Sequence, residues 1–250
     1  VIAIESLCKS YDGTPVLDGV DLILPQGGVT AVIGPNGAGK STLLSVMGRM
    51  IRADAGRVTL DGRDLATAPG SEVARRLAVL RQDNQPSARL TVQDLVTFGR
   101  YPHSHGRTTA QDRVHVARAI AYLGLGDLAD RFLDELSGGQ RQRAFIAMVL
   151  AQDTDVILLD EPLNNLDMRH AVGIMALLRD AARDLGKTIL VVLHDINMAA
   201  AYCDRIVVMQ DGRLIHHGPP EEIMTDALLS RVYATPVTVH RVAGRLVALY

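Results

Sequence analysis

The chain has 250 residues, of which 48% are hydrophobic and 22% charged, and its formal net charge is -2. Such a size and apolar content allow a large buried core and exclude disorder, while the near-balanced charge gives no general basic surface, so nucleic acid is not expected as a partner. The longest apolar run, 144–151, falls far short of the roughly 20 residues a membrane-crossing helix needs.

The N-terminal Val-Ile-Ala-Ile-Glu has none of the regions of a secretory signal. Cys8 and Cys203 lie far apart with no ligand-like spacing, and they read as small apolar residues in a reducing compartment. In chain order, β-rich runs at 2–7, 16–24 and 29–33 come first, separated by the turn formers Asp12-Gly13 and Gln26-Gly27-Gly28. The pattern turns helical from Lys40 to Met50. Further strands are expected at 58–60 and 77–81, with Asp61-Gly62 as a turn between them.

From about Thr91 to Leu150 apolar residues recur at helical spacing, notably in 92–98 and 114–123, which predicts a helical insert. Strand and helix then alternate: a strand at 156–159, a helix over 168–185, a strand at 188–193, a helix from Ile196 and a strand at 206–209. Continuous apolar strands between helices predict an α/β fold with a parallel sheet covered on both faces. The tail beyond Glu222 predicts a helix near 228–233 and a strand pair at 237–239 and 246–249 around Gly244.

Gly34-Pro-Asn-Gly-Ala-Gly-Lys40-Ser41 matches G-x-x-x-x-G-K-[ST] and sits between a strand and a helix. Glycines let the backbone wrap phosphate oxygens, a helix N-terminus offers free N–H groups, Lys40 supplies a point charge and Ser41 a hydroxyl for Mg²⁺. Gly34, Asn36, Gly37, Ala38, Gly39, Lys40, Ser41 and Thr42 are therefore the candidate nucleotide-binding residues. Downstream, Val156-Ile-Leu-Leu-Asp160-Glu161 is an apolar strand ending in two carboxylates. Asp160 suits Mg²⁺ through water, and Glu161 suits orienting or deprotonating an attacking water.

Leu136-Ser-Gly-Gly-Gln140 is the most discriminating string, with Ser137 as a helix N-cap and Gly138 and Gly139 permitting close backbone approach. With Lys40, Asp160 and Glu161 in this order, the chain resembles the nucleotide-binding subunits of ATP-binding cassette (ABC) transporters. The resemblance implies a P-loop NTPase (RecA-like) core with a mainly parallel sheet, an N-terminal antiparallel β portion and a helical insert subdomain. It divides the chain into a catalytic core with the β portion (1–88 and 153–220), a helical subdomain carrying the signature string (89–152) and a short C-terminal extension (221–250).

In that family Ser137, Gly138, Gly139 and Gln140 would grip ATP held by the opposite subunit. His194, at a strand end, would contact the γ-phosphate. Gln82 would reach Mg²⁺ and water, and Tyr11 would stack on adenine, although a turn tyrosine packed on the fold would look the same. Asp167 corresponds to the loop that crosses the dimer interface; Asn164 and Asn165 depart from the Ser-Ala form common there. The other seven histidines, including His103, His105, His216 and His217, read as solvated residues of loops or turns.

The implied activity is ATP hydrolysis with ATP and Mg²⁺, by a homodimer bound to two transmembrane permease subunits. An extracytoplasmic solute-binding protein would serve the same system, and the site of action would be the cytoplasmic face of the bacterial cell membrane. Leu90 to His103, and Glu161 to Met168, look like importers of iron–siderophore complexes, haem and cobalamin, with the iron–siderophore type most similar. The alternatives are a haem or cobalamin importer, an exporter motor or non-hydrolysing regulator, and a soluble ABC ATPase acting on ribosomes or DNA.

Overall fold

The structure is a computed structural model and describes residues 1–82 and 88–250; residues 83–87, within the expected core span 1–88, lie outside the described residues. The elements run β1 (Ile2–Tyr11), β2 (Thr14–Leu24), β3 (Gly28–Ile33), α1 (Lys40–Met47), β4 (Ala55–Leu60), β5 (Arg63–Asp64), α2 (Gly70–Arg76), β6 (Leu77–Leu80), α3 (Val92–Phe98), α4 (Tyr101–Ser104), α5 (Ala110–Tyr122) and α6 (Gly138–Ala151). They continue with β7 (Val156–Leu159), α7 (Met168–Asp184), β8 (Thr188–Val192), α8 (Ile196–Tyr202), β9 (Arg205–Gln210), β10 (Arg213–Gly218), α9 (Pro220–Ile223), α10 (Asp226–Tyr233), β11 (Thr238–Val242) and β12 (Arg245–Leu249). Two compact units result, one of residues 1–68 with 178–250 and one of residues 69–177.

In the first unit β3 lies between β8 and β9 and runs parallel to both, with Val32 opposite Val192 on one side and Val207 on the other. β10 pairs antiparallel with β9. Every residue of β8 is buried, as are five of the six in β3, which is why these strands read as unbroken apolar runs rather than alternating ones. A separate antiparallel sheet has the order β2-β1-β4-β5, and here burial alternates, with Ile2 and Ile4 inside and Glu5 outside. The expected strand pair of the tail is the antiparallel hairpin β11–β12, turning at Ala243-Gly244.

The second unit carries the parallel pair β6–β7, joined from Leu77↔Val156 to Leu80↔Leu159, together with α2 to α6 and the start of α7. Three helix starts are fixed by reciprocal capping boxes: Thr91 with Asp94, Thr109 with Asp112, and Ser137 with Gln140. Each box satisfies two backbone N–H groups that the helix leaves open. Gly99-Arg100-Tyr-Pro-His103 is built into this packing. Met148 O stands 2.0 Å from where a Cβ on Gly99 would lie, and Arg100, 4% exposed, donates to Asp112 at 2.9 Å and to Ala151 O at 2.8 Å.

Two expectations need correction. The Asp61-Gly62 turn, with φ of 49° and 78°, joins β4 to the two-residue β5, whereas the strand at Leu77 pairs with β7. A turn sequence fixes only that the chain reverses, and β5 is too short for its alternation to be read. The histidines also are not uniformly loop residues. His103 lies on α4 with Nε2 2.8 Å from Gln152 O, His115 lies on α5 beside Asp153, and His216 and His217 are exposed on β10.

The hydroxyl and backbone N–H of Thr109, followed by the Arg100 guanidinium, hold the Asp112 carboxyl well below its ordinary range. Asp112→Ala would leave Arg100 buried without its ion partner and is expected to cost about 3–5 kcal/mol in urea unfolding. Because the folded-state value is depressed, the stabilisation is complete above about pH 4 and is lost as pH falls below it. The variant should therefore show a flatter decline of stability with acid than the parent.

Candidate nucleotide site

The loop after β3 has almost no lateral room. A Cβ on Gly34 (φ 148°) would fall 2.1 Å from Met209 O, and one on Gly39 (φ 91°) would fall 2.5 Å from Val16 O. Gly37 has φ 81°, a conformation that favours glycine whatever the space. α1 starts from Gly39, which has no side chain to cap it, and the N-terminus of a helix favours an anion beside it. Lys40, 5% exposed, donates from Nζ to Gly34 O and Pro35 O, each at 2.9 Å. Asn36 and Gly37 are exposed, Ala38 is buried, and Ser41 and Thr42 are half-buried in the first turn.

Also in the first unit, Tyr11 ends β1, 46% exposed, with the Lys9 ammonium 5.6 Å from its ring centre. His194 is exposed two residues beyond the end of β8. Leu193 N donates to Val32 O, which ties the start of this link to the strand that feeds the glycine loop. Asp195 caps α8 by accepting from Met198 N at 3.0 Å.

In the second unit Asp160 follows β7 directly and is 9% exposed. Glu161 is half-buried with φ 49°, an unusual backbone for a non-glycine residue. Its Oε2 accepts from Gln82 Nε2 at 2.7 Å and from Asn164 Nδ2 at 2.5 Å. Two side-chain amides thus orient one carboxylate oxygen. Asn165 takes φ 60°, a conformation asparagine tolerates better than most residues.

Ser137 and Gly138 are exposed at the start of α6, with Gly139 buried behind them. Ser137 Oγ accepts from Gln140 N at 3.3 Å, and Gln140 Oε1 accepts from Ser137 N at 2.9 Å. Gln140 is therefore the second half of the helix cap. Gly139 faces the His170 ring, whose nearest atom would lie 2.2 Å from an added Cβ. His170 in turn holds Asp167, which accepts from its backbone N and sits 2.8 Å from its Nδ1; these contacts lower the Asp167 carboxyl from its ordinary value.

Asn164 and His170 were not singled out as functional in the sequence. Each stands three positions after a carboxylate it touches, but short polar spacing of that kind is too common to carry a prediction without coordinates. Among the described residues no cluster of three or more His, Cys, Asp or Glu is placed to hold a metal. Ser41, Gln82 and Asp160 each carry a hard oxygen donor of the type Mg²⁺ takes.

Gly139→Ala should displace the His170 ring and destabilise the chain by about 1–3 kcal/mol, the usual cost of overpacking. Shortening the obstruction in Gly139→Ala/His170→Ala should recover part of that loss. Thermal unfolding of the two variants and of His170→Ala alone measures the coupling, and strict additivity would refute the contact as the cause.

Residues 17–164 match the ABC transporter family. The chain is 47% identical over its full length to the petrobactin import ATP-binding protein YclP of Bacillus subtilis (strain 168), covering 99% of that protein. It is 44% identical to the petrobactin import ATP-binding protein FatE of Bacillus anthracis, with both chains fully covered. Among solved structures it is similar to an inward-facing putative metal-chelate type ABC transporter, at 26% identity and a TM-score of 0.86, covering 100% of this chain and 97% of the other. The fold is accordingly the RecA-like P-loop NTPase core with a mixed sheet and a helical subdomain. The chain belongs to the ABC transporter family, as one of its ATP-binding, ATP-hydrolysing proteins.

Proposed function

We propose that this ATPase drives uptake of ferric siderophores, as a homodimer seated on two transmembrane permease subunits at the cytoplasmic face of the cell membrane and served by an extracytoplasmic solute-binding protein. Full-length similarity to two petrobactin import proteins and to a metal-chelate type transporter supports the cargo class and the assembly. No described helix is long and apolar enough to cross a membrane, so the membrane step falls to the permease subunits.

The observation that carries the chemical reading is Glu161, held by Gln82 and Asn164 immediately after Asp160. Within this reading the glycine-loop amides and Lys40 hold the β- and γ-phosphates, while Ser41, Gln82 and, through water, Asp160 hold Mg²⁺. When bound, Mg²⁺ spreads and neutralises phosphate charge. Glu161 accepts a proton from the attacking water as the water oxygen bonds to the γ-phosphorus and the bond to the ADP oxygen breaks.

His194 steadies the γ-phosphate, and Tyr11 stacks on the adenine. Ser137 to Gln140 of one copy close over ATP held by the other, with Asp167 in the crossing loop. Closure follows from charge drawn between two copies, and loss of phosphate releases it, so the hydrolytic cycle becomes movement of the attached permease.

Glu161→Gln keeps a side chain able to meet both amides yet cannot take up a proton. It is expected to slow hydrolysis at least about 10²-fold while ATP binding is retained, with dimers accumulating in size-exclusion chromatography with ATP. Hydrolysis at the parent rate would remove Glu161 from its assigned role. For the cargo, the full complex in vesicles should be stimulated by its binding protein loaded with a ferric siderophore; stimulation only by a sugar- or amino-acid-loaded protein would overturn the import assignment.

A further inference from the structure

A well-defined polar contact joins the β11–β12 hairpin of the C-terminal extension to α8. Asn197, second residue of α8, accepts from Ala248 N at 2.7 Å through Oδ1 and donates from Nδ2 to Ala248 O at 3.1 Å. Both faces of one side-chain amide are thus used on one residue of β12, much as neighbouring strands exchange bonds. Ala248 is 2% exposed, so neither bond is a loose surface contact. The tail itself is stitched internally: Asp226 accepts from Val239 N at 2.8 Å, and Ser230 Oγ bonds both N and O of Val237.

α8 has only seven residues and is too short to hold a direction by its own hydrogen bonds. Its orientation comes from outside: buried Ile196 and Ala199 on one side, the Asp195 cap at its start, and the Asn197–Ala248 pair. Only Leu193, His194 and Asp195 separate β8 from α8, and Leu193 N is fixed on Val32 O. With one end of so short a link anchored to the sheet, a change in the tilt of α8 must be absorbed by the backbone at His194 and Asp195.

We infer that the β11–β12 hairpin, through the paired hydrogen bonds of Ala248 with Asn197, positions His194 for the hydrolytic step. Asn197 is then a positioning residue, and the inference rests on the reading of His194 as the γ-phosphate contact. The linkage predicts a particular kinetic signature. ATP is held by the glycine loop, which the pair does not touch, so loosening it lowers kcat and leaves nucleotide affinity in place.

The test compares Asn197→Ala, His194→Ala and their double variant in the full-length chain, with ATP affinity measured by calorimetry beside kcat and KM. Asn197→Ala should lower kcat roughly 5- to 20-fold with ATP affinity within about twofold of the parent, and should add almost nothing in the His194→Ala background. Ala248→Pro removes the N–H from the other side of the contact and should reproduce the same kcat loss. If His194→Ala is impaired while Asn197→Ala keeps the parent kcat, the tail has no positioning role. If Asn197→Ala loses kcat and Ala248→Pro does not, the effect belongs to α8 alone and the inference is again overturned. Equal loss of kcat and ATP affinity, tracking a lower melting temperature, marks a purely structural contact. Parent-rate hydrolysis by His194→Ala would instead remove the reading of His194 on which the inference stands.

Discussion

The loop that follows β3 can exist only without side chains at two points, since Met209 O and Val16 O occupy the space that a Cβ on Gly34 or Gly39 would need. That exclusion organises much of the first unit. β9, beside β3, supplies Met209 O to the wall behind the loop, β2 of the other sheet supplies Val16 O, and β3 itself is buried along nearly its whole length. Its two neighbours run parallel to it, so their carboxyl ends gather at one edge, where open α/β sheets collect ligands. The helix that begins there has no side-chain cap, and Lys40 is folded back on the loop carbonyls.

The second unit solves a different problem, holding polar and charged groups in place around exposed helix starts. Capping boxes define where α3, α5 and α6 begin. One of them shares Asp112 with the buried Arg100, so a single carboxylate caps the start of α5 and meets a guanidinium that also donates to Ala151 O at the end of α6. His170 plays a comparable double part, filling the space against Gly139 while it orients Asp167.

Much of this was legible in the residues. Strands dominated by apolar residues at β3, β7, β8 and β9 and the helical spacing of α3 needed no context, because burial on two faces or on one stripe is written directly into composition. The glycine loop, the acidic pair and the signature string were visible for the same reason: each is a short segment whose neighbours in sequence are its neighbours in space. What escaped prediction was either too short or too distant. α2 buries only Val73, and β5 has two residues, so neither shows a period. The contact of Gln82 with Glu161 spans 79 positions and that of Asn197 with Ala248 spans 51, and no local pattern announces such pairs. The Gly-Arg-Tyr-Pro-His run resembles importers in sequence, and its glycine, arginine and histidine are packing residues.

The cap of α6 carries a chemical asymmetry. An aspartate at position 137 would end the helix about as well as a serine, but it would turn only lone pairs outward and would repel an incoming anion. The serine oxygen is engaged by Gln140 N through one lone pair, and its proton remains to be donated to a visitor. The same atom therefore acts as an acceptor toward its own helix and as a donor toward whatever approaches from outside. Helix stability alone does not discriminate between those two side chains. The polarity presented at the surface does: the serine keeps a proton that it can donate to an incoming anion, and an ionised aspartate has none.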